Sequence, residues 1–159
     1  MNFFNDNPAI KFQLSHPLMQ KIVILAIESA MRRGELLSLE WQHVDLNRRV
    51  AFLPITKNGT SRHVPLSTRA VEILRQMDRN HKRVFPINFA AMEANFFRAV
   101  RRAGLRDLHF HDLRHTATSR MSKKIPNVIE LASITGHTNL SMLRRYYHVT
   151  AEELALKLG

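Results

Sequence analysis

Two short runs of β-type residues meet at Asn58-Gly59 in the stretch RRVAFLPITKNGTSRHVPLS, and the longer segments around it mostly repeat their apolar residues at helix spacing. Asn-Gly tolerates the positive φ that both central positions of a type I′ turn require, so the stretch predicts an antiparallel hairpin. Pro54 and Pro65 cannot donate to a ladder, which confines the strands to short or edge positions. Lys57 then stands at the hairpin tip, where a flexible cation can reach outwards. A weaker β signal over 44–46, just after Trp41, can complete a sheet of two or three strands.

The helical patterns supply the rest of the fold. Residues 17–31 put Leu18, Ile22, Leu25 and Ala26 on one face. A second pattern runs from Ser67 or Thr68 to about Met77 with Ala70, Ile73 and Leu74 inward. A third covers 87–103 with Phe89, Met92, Phe96 and Val100 inward and Gly104 as its stop. Shorter ones follow at 111–121 and 126–135, and a tail opens on the capping box Thr150-Ala-Glu-Glu153. The expected fold is mainly α with a small antiparallel β-sheet (α+β). It forms one domain over 17–159, preceded by a linker or arm at 1–16.

Lys plus Arg number 24 against 13 for Asp plus Glu, a formal charge of +11, and 45% hydrophobic residues support a folded core. That excess of positive charge favours a polyanion such as nucleic acid. The absence of cysteine excludes disulfides and thiolate metal sites and fits a reducing cytoplasm. The apolar run at 22–27 is far too short to span a bilayer, so no membrane partner is expected.

Chemistry concentrates between His109 and His148, which hold both tyrosines. On a helix over 111–121, Leu113, Ala117 and Met121 form a buried stripe, while His111, Arg114, His115 and Thr118 share an adjoining face. Gly136 is a helix stop, and Thr138 can cap a further helix whose inward stripe is Leu140, Leu143 and Tyr147. Tyr146 is then turned about 100° away, as a presented hydroxyl. Earlier in the chain, Arg32 and Glu35 are three residues apart and can meet.

Transfer of a phosphodiester needs an attacking oxygen, cations for the non-bridging oxygens and an acid for the departing one. A tyrosine hydroxyl, with a pKa of about 10, is a weak nucleophile that needs a strongly cationic site. Arginine suits phosphate because its planar fork binds two oxygens. His109, His111 and His115 lie close together, yet no Asp, Glu or Cys completes a recognised ligand spacing. Neither a metal nor another cofactor is expected, and the arginines take a metal's place.

The pieces AMRRGELLSLEW, TKNGTSRHVPLS, FHDLRHTATSR and ITGHTNLSMLRRYYHV, in that order, closely resemble the catalytic domain of the tyrosine recombinase family, also called phage integrases. Tyr146 falls nine residues after His137, as that family's pattern has it. The resemblance implies that Arg32 and Arg114 clamp the scissile phosphate and that Lys57 protonates the leaving 5′ oxygen. It implies that His111 and His137 hydrogen-bond the phosphate or help move protons, and that Tyr146 attacks to give a 3′-phosphotyrosyl link. It further implies a double-stranded DNA partner, a monomer when free, and four protomers exchanging strands on two duplexes without ATP or metal.

Two departures stand beside the likeness. Ser29-Ala30 precede Met31 where the family has a Thr-Gly turn, and the family's N-terminal DNA-clamping domain has no counterpart before residue 17. A DNA-binding remnant without catalysis, and a nicking and resealing enzyme like a type IB topoisomerase, are the alternative readings.

Overall fold

The structure of the protein is a computed structural model that describes residues 17–54 and 61–159. The arm at 1–16, Lys57 and the Asn58-Gly59 turn lie outside the described residues. The expected class is what is found: mostly helices, with one small antiparallel sheet.

Helix α1 (Pro17–Ser29) starts on a proline, whose fixed φ and missing N–H suit a first helical turn. It runs through the centre of the core, with Met19, Ile22, Leu25 and Ala26 buried. Around it pack α2 (Arg33–Ser38), α3 (Thr68–Arg75), α4 (Phe89–Arg102) and α5 (Phe110–Ser122). Side-chain caps fix two of these starts: Ser67 Oγ accepts from the Ala70 amide, and Asn88 Oδ1 from the Ala91 amide. Truncating a core leucine such as Leu25 or Leu113 to alanine costs about 2–5 kcal/mol, so the position of α5 against α1 is firmly set.

Strands β1 (Val44–Asp45), β2 (Val50–Leu53) and β3 (Arg62–Pro65) pair antiparallel in the order β1-β2-β3. Ala51 faces Val64 and Leu53 faces Arg62 across the β2-β3 ladder. Alternation sends Ala51, Leu53 and Val64 into the core and leaves Phe52 and His63 stacked on the other face, ring centres 4.9 Å apart. Arg62, two residues before Val64, takes the inner side. One strand thus delivers a cation to the interior edge of the sheet.

A second, smaller core consists of Leu131, Ala132 and Leu143, with Met121, Ile125, Val128, Tyr146 and Tyr147 packed on it. It joins the end of α5 to α6 (Val128–Thr135) and to a 3-10 helix, Leu140–Tyr146. Helix α6 is capped by Asn127 and stopped by Gly136 at φ 70°.

Three expectations need correction. The segment after Gly136 is a 3-10 helix capped by Asn139, not an α-helix capped by Thr138, because Asn139 Oδ1 captures the Ser141 amide. In 3-10 geometry residues three apart eclipse, so Tyr146 falls in line with buried Leu143 and is itself half-buried, while Leu140 is 41% exposed. Phe89 does not join the inner stripe of α4: it is 51% exposed, and the Arg33 guanidinium lies 3.9 Å over its ring.

The tail helix α7 (Ala151–Leu158) carries the expected reciprocal cap between Thr150 and Glu153. None of its residues is buried, and Leu156 and Leu158 are 85% and 88% exposed. Among the described residues, no helix is long and apolar enough to cross a membrane.

Candidate active site

The site forms where the two cores meet, and its centre is a carboxylate. Glu35 is 5% exposed in the first turns of α2. Its Oε2 accepts from the Arg32 amide at 2.6 Å, and its Oε1 pairs with Arg32 Nη1 at 3.0 Å. From β3, Arg62 adds a two-pronged contact, with Nη2 donating to Oε2 at 2.9 Å and Nη1 to Oε1. Burial alone raises the Glu35 pKa, but the hydrogen bonds from Arg62 and the Arg32 amide, with the Arg62 charge, hold it below the ordinary glutamate value. It is a fixed anion at neutral pH.

Backbone carbonyls hold the cations from the other side. Arg32 Nη2 donates to the Gly136 carbonyl at 2.8 Å, and Arg62 Nε to that of Ile134 at 3.2 Å. On α5, Arg114 is buried; its Nη2 donates to the Thr135 carbonyl at 2.6 Å and its Nη1 to that of Ala30. Burial and then the neighbouring Arg32 charge push the Arg114 pKa down to about 10, so it is still cationic at neutral pH. Two guanidinium groups therefore share one carboxylate, and a third, Arg114, lies within its field, so cations outnumber anions here. A bound anion would relieve that excess.

Ala30 bears on the departure at Ser29-Ala30. It is buried in the left-handed region at φ 53°, where a non-glycine residue is strained by about 1–2 kcal/mol. Ser29 Oγ donates to the Leu25 carbonyl at 2.6 Å and accepts from the Met31 amide at 3.3 Å, closing the turn in place of a glycine's freedom. The turn aims the Ala30 carbonyl at Arg114.

His137 follows Gly136, and its Nδ1 lies 2.7 Å from Thr135 Oγ1. That hydroxyl already donates to the Leu131 carbonyl at 2.7 Å, so it accepts from His137 and the proton sits on Nδ1. Burial, then Arg114 and Arg32, lower the ring's pKa to about 4. The ring is neutral at pH 7, with Nε2 as a bare acceptor. His111, exposed on α5, has its pKa lowered by burial and by the charges of His115 and Arg114.

The two tyrosines are held differently. Tyr147 donates its hydroxyl to the Ile125 carbonyl at 2.8 Å, fixing it to the smaller core. The Tyr146 hydroxyl lies 2.7 Å from His115 Nδ1. Burial raises the Tyr146 pKa, opposed by Arg145 and Arg114, so the phenol keeps its proton at neutral pH.

Of the six residues singled out in the sequence, Arg32, Arg114, His137 and Tyr146 converge, and His111 lies at their edge, its ring 4.9 Å from that of His115. Lys57 is outside the described residues. Sequence reasoning missed Arg62 and His115 as members of the site. The signal for Arg62 was its alternation with inward Val64, and for His115 its place one helical turn after His111. Among the described residues, no group of three or more His, Cys, Asp or Glu could hold a metal ion.

The fold is that of integrase catalytic domains: the catalytic domain of bacteriophage HP1 integrase is 25% identical and superposes with a TM-score of 0.65 over 87% of this chain and 79% of that one. The Tn1549 transposon integrase, solved in complex with circular intermediate DNA, reaches 0.72 at 19% identity over 87% of this chain and 58% of that one. The Phage integrase family matches residues 9–153, and the chain belongs to that family. It is 46% identical over 149 residues to the shufflon-specific DNA recombinase of Escherichia coli, covering 92% of this chain and 39% of that protein. A putative integrase/recombinase of Haemophilus influenzae is 41% identical over 129 residues, covering 79% and 42%. The chain thus spans about two fifths of the length of these curated relatives.

Proposed function

We propose that this domain cuts and rejoins double-stranded DNA as a site-specific recombinase, through a covalent 3′-phosphotyrosyl intermediate on Tyr146. The observation that carries the reading is the setting of one tyrosine: its hydroxyl is half-buried, hydrogen-bonded to an imidazole, and within the field of Arg114, whose fork is fixed by the Thr135 and Ala30 carbonyls. Arg32 and Arg114 would clamp the scissile phosphate's non-bridging oxygens. Pre-fixed guanidinium groups need no reorganisation as charge develops. His111 and His137 would line the phosphate.

In the forward step the Tyr146 oxygen forms a bond to phosphorus while the bond from phosphorus to the 5′ oxygen breaks. Lys57, by the resemblance, supplies the proton to that leaving oxygen. The ester keeps the energy of the broken bond, so resealing to a second strand requires neither ATP nor a metal. The relatives named as recombinases and the integrase solved on DNA support DNA as the partner. The exposed Leu154, Leu156 and Leu158 of α7 support docking of the tail onto a neighbour, as four protomers on two duplexes would use it. Action in the cytoplasm follows from the same reading.

A nicked suicide duplex incubated with the protein in EDTA tests this. A covalent adduct lost in Tyr146→Phe and kept in Tyr147→Phe is the expected result. No adduct, even from a longer parent chain, favours a binding module. Relaxation of supercoils without joining of two duplexes favours a topoisomerase.

A further inference from the structure

We propose that His115 takes the proton from Tyr146 as the phenol oxygen attacks phosphorus, and returns it when the strand is resealed. The inference rests on the function proposed above and adds a proton acceptor that the family resemblance did not assign. Its basis is geometric: His115 Nδ1 and Tyr146 Oη are 2.7 Å apart, inside the reach a general base requires.

The surroundings favour this ring over the other groups in the site. The Tyr146 phenol is not ionised at neutral pH, so the attacking oxygen must shed a proton during the step. Both Glu35 oxygens are taken up by Arg32 and Arg62, and the arginines carry no free lone pair. His137 is tied through Nδ1 to Thr135 and keeps Nε2 free, but the ring in hydrogen-bond contact with the Tyr146 hydroxyl is that of His115. His111 stands edge-on to His115 with ring centres 4.9 Å apart, which restricts the orientation of the second ring.

Placement on the fold serves the same end. His115 follows Arg114, whose two carbonyl contacts pin this turn of α5. The ring is exposed, so a proton it receives can pass to water. The charged and titratable groups around it are His111 and Arg114 from α5, His137 from the end of α6, and Tyr146 and Arg145 from the 3-10 helix. Proton bookkeeping closes: the O–H bond of Tyr146 breaks, His115 Nδ1 gains that proton, and the 5′ oxygen receives its own proton from Lys57. Resealing runs the same transfers backwards.

The test is single-turnover adduct formation by the full chain on the suicide duplex. It uses His115→Ala, His115→Asn and added imidazole, with DNA affinity and thermal melting measured alongside. His115→Asn keeps an acceptor near the Nδ1 position but cannot take up a proton. Both variants are expected to form adduct about 100-fold more slowly than the parent, the lower end of what general-base catalysis contributes. Affinity should be retained, and imidazole should restore His115→Ala but not His115→Asn. A rate within about threefold of the parent for either variant overturns the proposal, as does failure of imidazole to speed His115→Ala. Failure of the recombinase reading looks different: the parent chain forms no adduct, or Tyr146→Phe still does.

Discussion

Arg62 lies across Gly136 so closely that a β-carbon at Gly136 would stand 2.9 Å from Nη1 and 3.1 Å from Cδ of the arginine. Arg62 cannot swing aside cheaply, because its fork is engaged by Glu35 and its Nε by the Ile134 carbonyl. Gly136 also sits at φ 70° and offers its own carbonyl to Arg32. Gly136→Ala therefore combines left-handed strain of about 1–2 kcal/mol with displacement of Arg62. Urea unfolding is expected to show a loss of about 2–4 kcal/mol, since the strain and the disturbed buried pair add. A loss no larger than the strain alone would show that Arg62 yields freely.

Glu35→Gln leaves two arginines without their shared charge. Breaking a buried ion pair by removing one partner costs about 3–5 kcal/mol, and that loss is expected at pH 7. The pH dependence has a definite sign. The folded-state pKa of Glu35 lies below its unfolded value, so its contribution is complete above the ordinary glutamate value and disappears as pH falls through the folded one. Unfolding free energies of the parent and Glu35→Gln should converge in acid; a constant gap across the acid range would contradict the assignment.

His137 provides a second titration. Its pKa is lowered to about 4, so the stability it contributes is complete above the ordinary histidine value, about 6.5, and is lost as pH falls from there towards 4. Its ring resonances in an NMR titration should move in that acid range. Addition of duplex DNA is expected to raise the midpoint, because a phosphate offsets the Arg114 and Arg32 charges that depress it. A midpoint near 6.5 in the free protein would mean that neither burial nor the arginines act on the ring as the structure has it.

The paired tyrosines separate stability from chemistry. Tyr147→Phe removes the hydrogen bond to the Ile125 carbonyl and should cost about 1 kcal/mol, with adduct formation retained. Tyr146→Phe should abolish the adduct while leaving the melting temperature close to the parent's. Reversal of the two phenotypes would exchange the roles of the rings.

Much of the fold was legible because it rests on local rules. The periods of α1, α3, α5 and α6 and the Thr150 capping box are set by side chains a few residues apart, and the antiparallel pairing of β2 with β3 by two short β-type runs close in sequence. Local rules misplaced the segment after Gly136, where Thr138 and Asn139 compete as caps and the winner decides whether the next residues eclipse at three or stagger at 3.6. They misplaced Phe89 as well, because an aromatic ring can be covered by a cation as readily as by a core.

By itself the sequence determined most of the kinds of element, their order, and an inventory of cations, imidazoles and phenols suited to a phosphodiester. Apart from the local pair of Arg32 and Glu35, tertiary structure decided which of these groups meet and what holds them. Arg32 is fastened by the carbonyl of Gly136, 104 residues away, Arg114 by that of Ala30, 84 away, and Arg62 by that of Ile134, 72 away. Every residue has a carbonyl, so side-chain identity cannot mark which one will serve as an anchor. Only the packing of α5 and α6 against α1 and β3 turns those oxygens towards the arginines.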